Sequence, residues 1–579
     1  MYADDITITI TGNSMDKIKT SGQKAIDHVQ LWANENKITL AEDKTNLVMF
    51  TKHTGQILNP KLKLNNKPIK TQLSQKYLGV TFDSQLSWKK QINDTLQAIT
   101  KRQTFVNAIA SKFNDIPRKI LLLLTKSTIL SKLDYGSILY STASQQLLYK
   151  LDVKWNQTLR KITNAMPSTP IPALHLETHT YSLKTRRKIL HTNYIIKKRT
   201  TTSNDLIKTN IIDQINFFPN EQTNHLPAII FISKSYTNEF NPLICKIEHY
   251  KPLNGLTCID TSLQLQILKK TEEQPLYLKN LTLQYINEIN FSQKIYTDGS
   301  KQGNKTGLGV WFENRNFSIK ERLPDESSIF QAEIKAIEIA ITEIQNTETP
   351  DSFLICSDSL SSLLYLANYQ VSPTKEMAKI SQMIKTLQER NFTIKIIWIP
   401  SHIGLYGNEM ADKMAKESLT QQISLLTTNH PVEIQKRIKE HLIKEEHLLF
   451  KNKSKNKYLK IVKDNFITKN LIHPNKNIAN TIFRIRTGHN KTNASLFRWK
   501  ITTSPLCDLC KIDEDAEHLI MNCSKYNQER HLLEKNVKNN AGGNFDYDEI
   551  TGITETGKQE SMTRILGLFL RETKLLDYI

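Results

Sequence analysis

The stretch that decides the fold is IYTDGSKQGNKTGLGVWFENRNFSIKERLPDESSIFQAEIKAIEIA, residues 295–340. KIYT alternates as a strand does and runs into Asp298-Gly299-Ser300, while GLGVWFEN and FSIKERL read as two further strands with turn residues between them. Three consecutive short strands make a meander. From Ile329 to Ile344 the period becomes helical, with Phe330, Ile334, Ile337, Ile341 and Ile344 on one stripe and Ala336 and Ala340 beside it. Glu333 falls within that stripe. A carboxylate among buried aliphatics is costly unless a cation pairs with it, so this acid points to a metal rather than to a solvated face.

Further along, SFLICS is a short apolar strand that delivers Asp358, and SLSSLLYLANY after it is helical, so Asp358 also reads as a helix cap. TIKIIWIP is another strand. SHIGLYGNEMADKMAKESL is a glycine-containing loop carrying His402, followed by a helix with Asp412 one turn past Asn408. The order is βββαβα…βα, and it projects four carboxylates from regular elements, as a metal site requires. Taken singly, each has a plainer reading: Asp-Gly as a turn, His402 as a solvated side chain, Asp358 and Asp412 as caps or surface charges. The ordered set is what points to a nuclease.

Residues 291 to about 420 resemble the ribonuclease H family, through IYTDGSK, FQAEIKAIEIA, CSDSLSSL and WIPSHIGLYGNEMADKMAK. The resemblance implies a mixed sheet with flanking helices. It also implies that Asp298, Glu333, Asp358 and Asp412 hold two Mg²⁺ (or Mn²⁺), with His402 assisting proton transfer or product release. Hard oxygen donors suit such ions. Two ions roughly 3.5–4 Å apart would activate water and stabilise the leaving 3′-oxygen. The implied reaction is endonucleolytic hydrolysis of the RNA strand of RNA/DNA hybrids. A DNA strand-transfer enzyme on the same fold fits the four motif contexts less well.

Tyr2-Ala3-Asp4-Asp5, followed by the alternating ITITITG, resembles the YADD turn of reverse transcriptases. A helix expected from about Ser14 to Asn36, then ITLAEDKTNLVMF with Lys44 and KYLGVTFDSQLSW with Tyr77, Leu78 and Gly79, look like the last palm motifs and the primer-gripping hairpin. SKLDYGSILYSTAS and NQTLRKITNAM are similar to the thumb and the region after it in Jockey-type non-long-terminal-repeat retrotransposons. A polymerase site of that family needs another aspartate well upstream, and Met1 directly precedes Tyr2. The expectation is therefore the C-terminal part of a polyprotein whose RNA-directed DNA polymerase is truncated, with Asp4, Asp5 and Lys44 as its remnant and no polymerase activity of its own.

Cys507, Cys510, His518 and Cys523 follow C-x2-C-x7-H-x4-C, a pattern suited to one structural Zn²⁺ in a closed four-ligand site. The spacing departs from retroviral knuckles and resembles the terminal zinc motif of Jockey-like elements, as does FRIRTGHNKTNASLFRWKI before it. The chain has six cysteines, and Cys245, Cys258 and Cys356 are scattered, which does not suggest a secreted disulfide framework.

A formal charge of +21 on 579 residues predicts an acidic polymer as partner. Between Pro431 and Lys500, 17 Lys and Arg face 5 Asp and Glu. There KNKSKNKYLK, Arg484, Arg486, Arg498 and the aromatics Phe483, Phe497 and Trp499 offer phosphate contacts and stacking faces, although a charge run also suits a solvated helix and the aromatics also suit a core. No apolar run is long enough to span a membrane, and Asp4 and Asp5 stand where a signal peptide would carry basic charge, so an intracellular location, nuclear or cytoplasmic, is expected.

The expected class is a multidomain α/β chain. It comprises a truncated palm (1–60), a primer-grip and thumb-like region (61–166), a connector with some helices after Ser182 (167–290), the ribonuclease H-like domain (291–422), a basic helical segment (423–500), the zinc knuckle (501–530) and a tail (531–579). Expected partners are an RNA/DNA hybrid, RNA, and an upstream polymerase half or the intact element protein. The alternative reading is a catalytically idle fragment that binds nucleic acid through its basic segment and knuckle.

Overall fold

The computed structural model describes residues 5–51, 58–112, 116–200, 258–262, 275–325, 327–367, 375–423, 431–453, 473–542, 544–552 and 559–579. Two compact units emerge: among the described residues, those up to His191 together with those from Glu440 on form one, and those from Thr192 to Lys439 form the other.

The first unit begins with α1 (Met15–Glu35), where the Ser14 side chain accepts the Lys17 N–H and so caps the helix at the expected place. The alternating residues before it form no strand. Residues 6–12 have no ladder partner among the described residues, and alternation alone does not hold a strand. β1 (Ser74–Tyr77) and β2 (Val80–Asp83) form an antiparallel hairpin whose two turn residues, Leu78 and Gly79, have φ of 44° and 78°. Both are left-handed, the type I′ geometry that matches strand twist. The Tyr135 hydroxyl donates to the Leu78 carbonyl, and its ring covers Gly79. Beyond the hairpin the chain is helical, with α2 (Lys89–Lys112), α3 (Arg118–Thr125), α4 (Gln145–Thr163) and α5 (Ile171–Glu177). Ile92, Ile99, Leu151, Trp155 and Leu159 form their shared core. A further helix starts at Leu183, where the connector was expected to turn helical. Residues 201–257 of that connector lie outside the described residues.

The second unit is built on a six-stranded mixed sheet. β3 (Ile259–Asp260) is an edge strand, followed by α6 (Pro275–Ile289). Then come the predicted meander β4 (Gln293–Gln302), β5 (Lys305–Phe312) and β6 (Phe317–Arg322), the helix α7 (Ile329–Gln345), β7 (Ser352–Ser357), α8 (Leu360–Ala367), α9 (Lys375–Glu389), β8 (Thr393–Trp398) and α10 (Tyr406–Ser418). The spatial order is β6-β5-β4-β7-β8-β3. The meander is antiparallel, and β4, β7, β8 and β3 run parallel. α7 starts at Ser328, whose hydroxyl accepts the Gln331 N–H, and it buries Ile334, Ile337, Ile341 and Ile344 as the stripe predicted. β3 and α6 belong to this unit although they precede the motifs. Ile286 of α6 is buried beside Tyr296 and Ile397.

The remainder of the first unit includes α11 (Lys476–Thr487), α12 (Asn493–Arg498) and α13 (Gln559–Glu572). One hydrophobic cluster joins Ile478 and Ile482 of α11, Cys507 and Cys523, and Leu566 and Phe569 of α13. The basic segment, the knuckle and the tail thus share a core. Phe483 is fully buried among the helices of the N-terminal half. There, too, Arg118 and Arg486 both pair with the buried Glu177. From Ser454 to Lys460, KNKSKNKYLK lies outside the described residues.

Candidate active site and metal centre

β4 brings Asp298 to the middle of the sheet, α7 brings Glu333 beneath it, and Asp358 follows the last residue of β7. One carboxylate oxygen from each of the three lies within 4.8 Å of the others. Asp298 and Glu333 are buried and Asp358 is half-buried. The Gly299 N–H donates to Glu333 Oε1 at 3.1 Å, while Oε2 is buried and receives no hydrogen bond. Asp358 accepts from Asn408 Nδ2 at 3.3 Å, and its own carbonyl accepts from Trp398 Nε1 at 3.1 Å, which fixes the end of β7 against β8.

Asp412 depends on glycine. A β-carbon on Gly309 would run into the Ala411 carbonyl, and one on Gly307 would run into the Ser418 hydroxyl. With hydrogen in both places, α10 lies directly on β5. Asp412 is half-buried and pairs with Lys416 one turn on, at 2.6 Å. It stands outside the group of three whose oxygens converge, yet close enough to Asp298 to act on its charge.

Burial, then Asp358 and Asp412, push the Asp298 carboxyl up to about 7. Burial, then Asp298 and Asp358, hold Glu333 well above the usual carboxylate range, and burial raises Asp358 as well. Such mutual repulsion in a dry site is relieved by a cation. The buried Glu333 Oε2 without a donor and the all-oxygen donor set both fit a hard divalent ion. His402 is exposed in the loop before α10, with φ of 55°, near enough to Asp358 for its charge to ease that carboxylate's ionisation.

Residues 291–420 match the family model described as RNase H. They are a ribonuclease H domain. The chain is also 27% identical over 164 residues to the RNA-directed DNA polymerase from mobile element jockey of Drosophila melanogaster, covering 28% of this chain and 18% of that one. It is 27% identical over 143 residues to human Ribonuclease H1, covering 22% of this chain and 50% of the relative. The chain thus spans about a fifth of the jockey polymerase and half of the human enzyme. Among solved structures, an LC11-RNase H1 crystallised with an RNA/DNA hybrid is similar at 21% identity, covering 22% of this chain and 96% of that one, with a TM-score of 0.19. The ribonuclease H domain and the likeness to jockey polymerases fit a fragment of a non-long-terminal-repeat retrotransposon polyprotein.

Outside the ribonuclease H domain, the structure draws Cys507, Cys510, His518 and Cys523 together, again within 4.8 Å. The Cys507 N–H donates to the Ile512 carbonyl at 2.8 Å and Lys511 adopts φ of 57°, which folds the first pair into a knuckle. The sulfurs of Cys507 and Cys510 each lie 3.9 Å from that of Cys523. Tetrahedral Zn²⁺ with Zn–S of about 2.3 Å places sulfurs about 3.8 Å apart. Both ring nitrogens of the buried His518 lack a hydrogen-bond partner, as an imidazole reserved for a metal would. The donors fit Zn²⁺.

Two expected nucleic-acid contacts are corrected. Arg484 and Arg486 are buried, not solvated. Arg484 donates to the carbonyls of Asn164 and Ile579, and Arg486 to the carbonyl of Thr551 and to Glu177. The Nε and Nη1 donors of both are engaged inside the unit. Arg498 is exposed, and half-buried Trp499 stacks on His489 with ring centroids 6.4 Å apart, so these two stay available at a surface. Of the polymerase remnant, Asp4 lies outside the described residues, and Asp5 and Lys44 are exposed. Sequence reasoning passed over Asn408, which holds Asp358; its place one turn before Asp412 in GNEMAD was the available signal.

Proposed function

We propose that the ribonuclease H domain cuts the RNA strand of RNA/DNA hybrids endonucleolytically inside the cell, within a retrotransposon protein of reverse transcription. The observation that carries this reading is the convergence of Asp298, Glu333 and Asp358, with Glu333 Oε2 buried and lacking a donor. These three and Asp412 are the residues to hold two Mg²⁺. When bound, the ions would supply Lewis-acid activation of water and neutralise charge at the phosphate. The chain's own groups do the rest: Asn408 orients the Asp358 carboxylate, the Gly299 N–H orients Glu333, and the exposed His402 imidazole moves a proton at the departing 3′-oxygen. Cys507, Cys510, His518 and Cys523 hold one structural Zn²⁺, and the exposed Arg498 and half-buried Trp499 contact RNA.

The test is a labelled RNA/DNA hybrid incubated with the chain, with Mg²⁺ or with chelator, beside Asp298→Asn. Cleavage should need Mg²⁺ and fall at least about a thousandfold in the variant, roughly 4 kcal/mol of lost transition-state stabilisation. Cleavage that survives Asp298→Asn refutes the site. No cleavage by the unmodified chain favours a protein that only binds nucleic acid.

A further inference from the structure

The helix α6 lies outside residues 291–420, which match the family, yet it is fixed to the same unit at two places. Leu278, Tyr285, Ile286 and Ile289 pack on the cluster that holds Ile399, Ile403 and Leu405, the residues flanking His402 and Gly404. The Tyr285 hydroxyl also donates to Asp260 Oδ2 at 2.6 Å, and Lys395 of β8 pairs with the same oxygen at 2.9 Å. A helix held this way presents its side chains at defined points.

Lys279 is on α6 at the edge of that packed face. Its Nζ stands 3.8 Å from where a β-carbon on Gly404 would be, two residues from His402. Gly404 has φ of 73°, so the loop passes Lys279 with bare backbone. The lysine is half-buried and makes no ion pair or hydrogen bond among the described residues. The adjoining site gathers carboxylates that repel an approaching polyanion, and a cation on the rim offsets that repulsion.

We propose that Lys279 binds a backbone phosphate of the nucleic-acid duplex that lies over the carboxylate site, so that a helix outside the family's own boundaries completes the substrate-binding rim. The assignment rests on the ribonuclease H reading for the position of the duplex. Binding is measured by fluorescence anisotropy of a labelled RNA/DNA hybrid with the full chain carrying Asp298→Asn, which holds cleavage off, with and without Lys279→Gln. Lys279→Gln should weaken binding about five- to tenfold near 0.1 M salt and make the slope of log K against log salt shallower by about one. Lys279→Arg should restore both. In the cleaving chain Lys279→Gln should act chiefly on KM. Unchanged affinity and salt slope overturn the assignment. A shallower slope in a chain that cleaves no hybrid leaves the phosphate contact standing and removes the ribonuclease reading.

Discussion

The carboxylate site and the cysteine-histidine site each bring donors within the same 4.8 Å, but by opposite means. The acids come from β4, α7 and the end of β7, elements that a large apolar core already holds. The thiols and imidazole come from one short run of chain between Cys507 and Cys523. In the first site the fold stands first and forces like charges together, so the ion relieves a strain. In the second the donors follow one another along the chain, and Cys507 and Cys523 sit in the cluster that also holds α11 and α13. A site spread over a sheet is held by its core when empty, whereas in the proposed zinc knuckle the metal would share the holding with the surrounding core.

The largest effect should follow from zinc removal. Zinc by mass should be near one per chain and should be lost in Cys507→Ser. The loss forfeits binding energy on the order of 10 kcal/mol for structural zinc sites, so residues around the knuckle should become protease-sensitive. Chelating Mg²⁺ should leave the ribonuclease H domain folded, with a cooperative melt that is lowered but not lost. Equal unfolding of both would erase the contrast.

Next in size is pH. The Asp298 carboxyl is raised from its usual 3.8 to about 7 in the folded, metal-free protein, so the folded state holds the extra proton. Its contribution to stability is full below about pH 4 and is lost as pH rises to about 7, a loss of up to roughly 3–4 kcal/mol. Thermal melts of metal-free protein between pH 5 and 8 should fall with pH, and Mg²⁺ should flatten the fall. A melt that rises with pH would mean the acids are not strained.

Arg484→Ala should destabilise the C-terminal module by about 2–3 kcal/mol, since it strands two buried carbonyls and leaves a void. Arg498→Ala should leave melting unchanged and weaken RNA binding. The reverse pattern would restore the solvated reading of the basic segment. The smallest effect is also a gain: Asp298→Asn should stabilise the metal-free chain by about 1–2 kcal/mol while abolishing cleavage, because it removes one of the repelling charges. Differential scanning calorimetry without metal reads it.

The acids were legible because each sits where a local pattern changes: a strand running into Asp-Gly, a polar residue inside an aliphatic stripe, a strand end, a helix after glycine. The helix start at Ser14 was legible for the same reason, while the Leu78-Gly79 turn was legible only through the family likeness of its hairpin. Arg484 and Arg486 were not, because every residue of α11 from Ile478 to Thr487 is buried. A helix enclosed on all sides has no polar face to betray its orientation, and its arginines look like any basic run. The joining of Arg118, Glu177 and Arg486 left no local trace either, since no periodicity links residues so distant in sequence.

The burial of Phe483 among helices from the other end of the chain also bears on synthesis. Glu177 and Arg486 are 309 residues apart, which at ribosomal rates of about 5–20 residues per second separates them by roughly 15–60 s. The ribonuclease H residues emerge in one continuous run within that interval and can close their sheet at once. The helical half made before them waits with an apolar slot open until Phe483 arrives, and that slot is the surface a chaperone would meet on the nascent chain.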